Sequence, residues 1–269
     1  MIKKLILIIS LYISSYASVN DAVLNLIGNA DYNTHRNLIN HIFRNSNNFY
    51  KNGQIDYTKI SQELSNNGIL KLNLGSVQNL EVTFYFNSNP KKSMKNISDI
   101  LRVLGYQDFI TQGEVVVDNQ LKWTIKLKTA AAISPLRLSQ ELQGVNCNIV
   151  DIKREGNYKW NYYIDSSNST IYKAEDLINT NQLSLRKPLK PYIVQVANIS
   201  SITINPNAGN SWYPSIIFYD NDFNVIEVVE KDSLYKSLKL DVPNNTKYIK
   251  IDDFYSLTNL KYGLNITKE

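Results

Sequence analysis

At 269 residues and 43% apolar content, the chain can bury a sizeable core and has room for two domains. A formal charge of +5 is too mild to argue for a nucleic-acid partner, and a single cysteine excludes an intrachain disulfide. His35 and His41 lie six apart, whereas paired ligands on one helix face need a spacing of three or four, so no metal site is expected from them.

The first residues set the compartment. Lys3 and Lys4 make a basic start, Leu5–Ile13 is an apolar run, and Ser15 and Ala17 are the small residues of a cleavage site. This pattern predicts a secretory signal peptide over residues 1–17 and a soluble periplasmic or secreted product. The run falls short of the roughly 20 residues that a spanning helix needs, so no stable membrane span is expected in the mature chain. Loss of Lys3 and Lys4 would lower the charge from +5 to +3.

Residues 18–70 read as helical. Val23, Leu24, Leu26 and Ile27 cluster at helical spacing, as do Leu38, Ile39, Ile42 and Phe43. A third helix is predicted at Tyr57–Asn66, with Gly68 just past its end. From Leu80 the period changes to two. Leu80, Val82, Phe84 and Phe86 alternate with Glu81, Thr83 and Tyr85, which predicts a strand. Ser93 reads as the N-cap of a helix carrying Ile97, Ile100, Leu101 and Leu104 on one face. A strand within Phe109–Val117 precedes Leu121–Lys128, the best-patterned stretch of the chain. There Leu121, Trp123, Ile125 and Leu127 alternate with Lys122, Thr124, Lys126 and Lys128. Ser134 and Pro135 open a second helix, with Ile133 placed to staple Leu138. Strands at Cys147–Arg154 and Tyr158–Ile164 follow, with Cys147 expected as a small buried hydrophobe.

The order strand, helix, strand, strand, helix, strand, with one extra strand, predicts a split βαβ arrangement over residues 71–166. One sheet face would meet the helices. The other would show Tyr85, Lys122, Lys126 and Tyr163. Such a face could serve RNA, but the glycine-aromatic signature of that module is missing, so solvation or protein docking is the better reading. Residues 167–190 are polar and irregular and read as a linker. From residue 191 to 269, seven short strand-like runs separated by turn clusters predict an antiparallel β-sandwich.

Two clusters in this last region could carry chemistry. Trp212 and Tyr213, if exposed, would make a stacking platform for sugar rings; if buried, Trp212 plugs the end of the core. Asp220, Asp222 and Asn224 share the opening spacing of a calcium loop. Val225 and Lys231 stand where that loop needs glycine and glutamate, so a plain turn is expected.

The segment PYIVQVANISSITINPNAGNSWYPSIIFYDNDFNVIEVV, continued by LKLDVPNNTKYIKI, resembles the galactose-binding-type β-sandwich of secreted proteins. The whole chain, lysine-, asparagine- and isoleucine-rich behind its short leader, is similar to uncharacterised periplasmic proteins of epsilon-proteobacteria. These resemblances imply a compartment and an envelope role and supply no catalytic residues.

The expected fold is therefore α+β, with a helical N-terminal region, a ferredoxin-like domain with an extra strand and a C-terminal antiparallel β-sandwich. The expected function is a non-enzymatic periplasmic adaptor or scaffold acting through protein contacts. The alternative is a glycan-binding module, for peptidoglycan or surface polysaccharide, built on Trp212 and Tyr213. Tyr85, Lys122 and Lys126 are the candidate docking residues, and no cofactor is assigned.

Overall fold

The computed structural model describes residues 18–269. The signal peptide expected at 1–17 lies outside them. Among the described residues, no helix is long and apolar enough to cross a membrane. The described residues form two compact units. The first takes those up to Pro90 together with Ser98–Asn168, and the second takes Lys91–Ile97 together with Ser169–Glu269.

In the first unit, α1 (Val19–Ile27) begins with a reciprocal capping box. Ser18 Oγ accepts from the Asp21 N–H, and the Asp21 carboxylate accepts from the Ser18 N–H. Its buried stripe is Val19, Ala22, Val23, Leu26 and Ile27. α2 (Asn29–Thr34) and α3 (Arg36–Ile42) are two short helices where the periodicity predicted one, and His35 sits at their junction. A hairpin of β1 (Tyr50–Lys51) and β2 (Gln54–Ile55) interrupts the region read as helical, before α4 (Tyr57–Asn66).

The chain then runs through β3 (Asn73–Phe86), α5 (Pro90–Val103), β4 (Ile110–Val117), β5 (Gln120–Ala131), α6 (Pro135–Gln143), β6 (Asn148–Arg154) and β7 (Lys159–Asp165). α5 starts earlier than expected because Pro90 already holds the helical φ of a first turn. Its N-cap is Asn89, and Ser93 is buried inside the helix. Ser134 caps α6 as expected from its place before Pro135.

The strands form one sheet in the order β4-β5-β3-β7-β6. That order overturns the ferredoxin-like layout. There, the last strand of the βαββαβ series would lie beside the first. Here β7 enters between them, parallel to β3 and antiparallel to β6, and displaces β6 to the edge. The expected α+β class fails more broadly. The described residues are mostly β, at 38% strand against 25% helix, with 16 strands in four sheets and six short helices. One face of the sheet supplies Phe84, Phe86, Trp123, Ile125, Trp160, Tyr162 and Ile164, all buried. α6 adds Leu138 and Leu142 to the buried set, and full burial of such side chains stabilises by about 1.5–3 kcal/mol each.

In the second unit, the stretch read as a linker holds two strands, β8 (Glu175–Asp176) and β9 (Gln182–Leu185). They are followed by β10 (Tyr192–Gln195), β11 (Ser201–Pro206), β12 (Pro214–Tyr219), β13 (Val225–Glu230), β14 (Leu238–Asp241), β15 (Tyr248–Asp253) and β16 (Leu264–Lys268). One sheet runs β13-β12-β15-β10-β8 and the other β14-β11-β16-β9. Pairing is antiparallel except that β8 runs parallel to β10, so a wholly antiparallel sandwich is also corrected. The arrangement is sandwich-like, because Val194, Ile216, Phe218 and Ile251 of one sheet share a core cluster with Ile202, Ile204, Leu264 and Ile266 of the other. Gly263 enters β16 with φ +77, and a Cβ there would stand 1.9 Å from the Leu185 carbonyl oxygen. Only glycine lets the backbone approach β9 that closely.

Candidate functional site

Register builds the site. Directly paired residues lie on the same face of a sheet. Lys122 of β5 pairs with Tyr85 of β3, Tyr85 with Tyr163 of β7, and Tyr163 with Asp151 of β6. One row thus crosses four strands on the face opposite Phe84 and Trp123. The next row is Thr124, Thr83, Asn161 and Lys153, and the one beyond is Lys126, Glu81 and Lys159.

The two tyrosine rings stack, with centroids 4.5 Å apart and planes 7° from parallel. Lys122 Nζ lies 5.6 Å from the Tyr85 centroid, and Lys153 Nζ lies 5.2 Å from that of Tyr163. Each end of the stack therefore meets a cation at a distance where the ring quadrupole attracts it. Burial pushes the Tyr163 phenol up to about 12, with Tyr85, Asp151 and Glu155 adding to the shift. Thr83 and Thr124 share a hydrogen bond of 3.0 Å in the neighbouring row. Glu155 accepts from Lys159 at 3.0 Å and from Asn161 Nδ2 at 2.6 Å. Those bonds, Lys159 first, hold the Glu155 carboxyl below its ordinary value. The result is a half-buried tyrosine pair within a mixed but lysine-rich surface. It presents aromatic area and fixed charge, which is recognition chemistry.

The structure brings Tyr85 and Lys122 together and places Lys126 four residues further along the same strand face, opposite Glu81. Sequence reasoning missed Lys153. The period-two pattern of β6 could have shown its face, but nothing local shows that β7 lies between β6 and β3.

Trp212 and Tyr213 do not form the expected platform. Trp212 is 0% exposed, and its Nε1 donates to the Asp252 carbonyl at 2.9 Å, so neither ring face is open to a sugar. Tyr213 is half-buried, edge-on to Tyr255 at 5.0 Å. The Asp253 carboxylate underneath is buried and accepts from the N–H groups of Tyr213, Tyr255 and Ser256, which fixes this corner. Asp220 turns its carboxylate onto its own loop, accepting from the N–H of Asp222 at 2.9 Å and of Asn224 at 2.8 Å. The loop is the turn joining β12 to β13. Cys147 is a buried thiol donating to the Val145 carbonyl.

Comparisons of the chain with protein-family models, with curated proteins and with solved structures give no match. The two resemblances drawn from the sequence therefore rest on its residues alone. The site is read from its own geometry.

Proposed function

We propose that the protein is a non-enzymatic adaptor or scaffold of the cell envelope, exported to the periplasm, that docks a partner protein on the tyrosine–lysine face of the first unit. The observation carrying this reading is the Tyr85–Tyr163 stack held between Lys122 and Lys153. Stacked rings offer rigid contact area at low entropic cost, and the flanking ammonium groups select an acidic rim on the partner.

The test is capture from intact envelopes with the wild-type chain and with a Lys122→Glu, Lys126→Glu double variant. The expected result is one specific partner, recovered by the wild type, released by salt and lost with the double variant. Recovery of no specific partner, or of the same partner by both chains, would overturn the proposal.

A further inference from the structure

A second feature of the first unit adjoins the docking face and shares Lys153 with it. Three chain segments, 24–31, 71–74 and 153–158, enclose a cleft of about 770 Å³. That is within the range of small-ligand sites. Each segment is placed by a backbone constraint. Gly28, at φ +83, turns α1 into α2, and Gly156, at φ +93, makes the β6–β7 turn. The start of β3 is tied at Gly75, whose N–H donates to Asn73 Oδ1.

The polar groups that line the cleft are unlike those of a structural groove. Arg154 is half-buried and held in place, with Nε donating to the Gly156 carbonyl at 3.1 Å and Nη2 to Asn157 Oδ1 at 2.8 Å. Its guanidinium lies 4.9 Å from the Trp160 ring centre. Among the described residues, no carboxylate stands within ion-pair distance of it. Beside it, Asp31 pairs with Lys71 at 2.8 Å. Asn25, half-buried, and Asn29, exposed, are also lining residues, and among the described residues their side-chain amides make no hydrogen bond. Tyr158 is 44% exposed at the rim.

We propose that this cleft binds a carboxylate-bearing saccharide. Asp31 acts on the Arg154 guanidinium only from beyond ion-pair distance, and its buried Nη1 makes no hydrogen bond among the described residues, so the fork, fixed in orientation, is suited to a carboxylate. Amides, each with two donors and an acceptor, match the hydroxyls of a sugar, and the Asp31–Lys71 pair offers an acceptor and a donor to the same groups. An exposed tyrosine ring packs against the apolar face of the sugar. An apolar ligand would leave the amides unsatisfied, and a bare polyanion would have no use for them.

The test is titration calorimetry of the full chain with trigalacturonate, maltotriose and citrate at low salt. Trigalacturonate should bind, and the other two should bind at least about tenfold more weakly, since each lacks one of the two recognised chemistries. Tyr158→Ala, at an exposed position that leaves the circular dichroism unchanged, should weaken trigalacturonate roughly fivefold. Arg154→Lys keeps the charge but loses the fork and should weaken it about tenfold. Absence of trigalacturonate binding would overturn the proposal. So would citrate binding as tightly, which means charge alone, or maltotriose binding as tightly, which means no carboxylate recognition. The double variant of the docking face, which leaves the shared Lys153 in place, should bind trigalacturonate like the wild type.

Discussion

Trp212 shows how strongly a residue's role depends on which way its strand-end loop turns. An indole can stack on a sugar or fill a core, and the sequence around it, Ser211 and Tyr213 with Pro214 next, is compatible with both. The backbone entering β12 turns the ring inward to join the buried cluster that also holds Ile216 and Phe218, and the Asp252 carbonyl satisfies its one donor. Removing that side chain deletes both the packing and the hydrogen bond. Trp212→Ala should therefore destabilise by about 3–5 kcal/mol, measured as a fall in the urea midpoint. A loss below about 1 kcal/mol would mean that the ring is exposed in solution.

At the scale of elements, β4 is the strand with least support. All eight of its residues are exposed, including Ile110 at 73% and the run Val115-Val116-Val117. It lies at the edge of the first unit's sheet, so one row of its backbone groups has no strand partner. A register shift between Thr111 and Gly113 provides a bulge, one of the devices that blunt edges, but the strand has neither lysine nor proline. Val116→Lys should accordingly lower the rate of aggregation at high protein concentration, followed by light scattering, while changing stability by no more than about 0.5 kcal/mol. An unchanged rate would place the association elsewhere. The same strand shows what could be read in advance. Its β-branched run announced a strand, and its edge position followed only from the order of the finished sheet.

For the whole molecule, tyrosine links stability to pH. Burial pushes Tyr163 in the first unit and Tyr192 in the second up to about 12, and drives the fully buried Tyr162 well above its ordinary value. In each case the fold favours the neutral phenol, while the unfolded chain loses its proton near the ordinary phenol value of 10.0. The folded state thus holds protons that the unfolded state has released. The stability these groups contribute is complete below about pH 10 and is lost as pH rises from 10 towards 12. Urea midpoints should fall steeply over that interval, and the double variant Tyr163→Phe, Tyr192→Phe should flatten the fall. A midpoint constant up to pH about 11.5 in the wild type would contradict the assignment.

Local pattern was enough to mark the long, regular elements and their buried faces, though not the β1–β2 hairpin or the short strands β8 and β9. The alternation in Leu121–Lys128 marked Leu121, Trp123, Ile125 and Leu127 as the buried side of β5, because a period of two is a property of the extended backbone. Ser134 and Pro135 marked a helix start because the cap and the fixed φ act within one turn. Which strands meet was settled by long-range packing. The insertion of β7 between β3 and β6, the recruitment of Glu175–Asp176 and Gln182–Leu185 into the second unit's sheets, and the burial of Trp212 all depend on contacts between residues far apart in the chain. A strand carries the same hydrogen-bonding groups whichever neighbour it finds, so local pattern cannot choose among partners. That choice is made by how the two faces of the completed sheet fill space, and it also set Tyr163 against Tyr85.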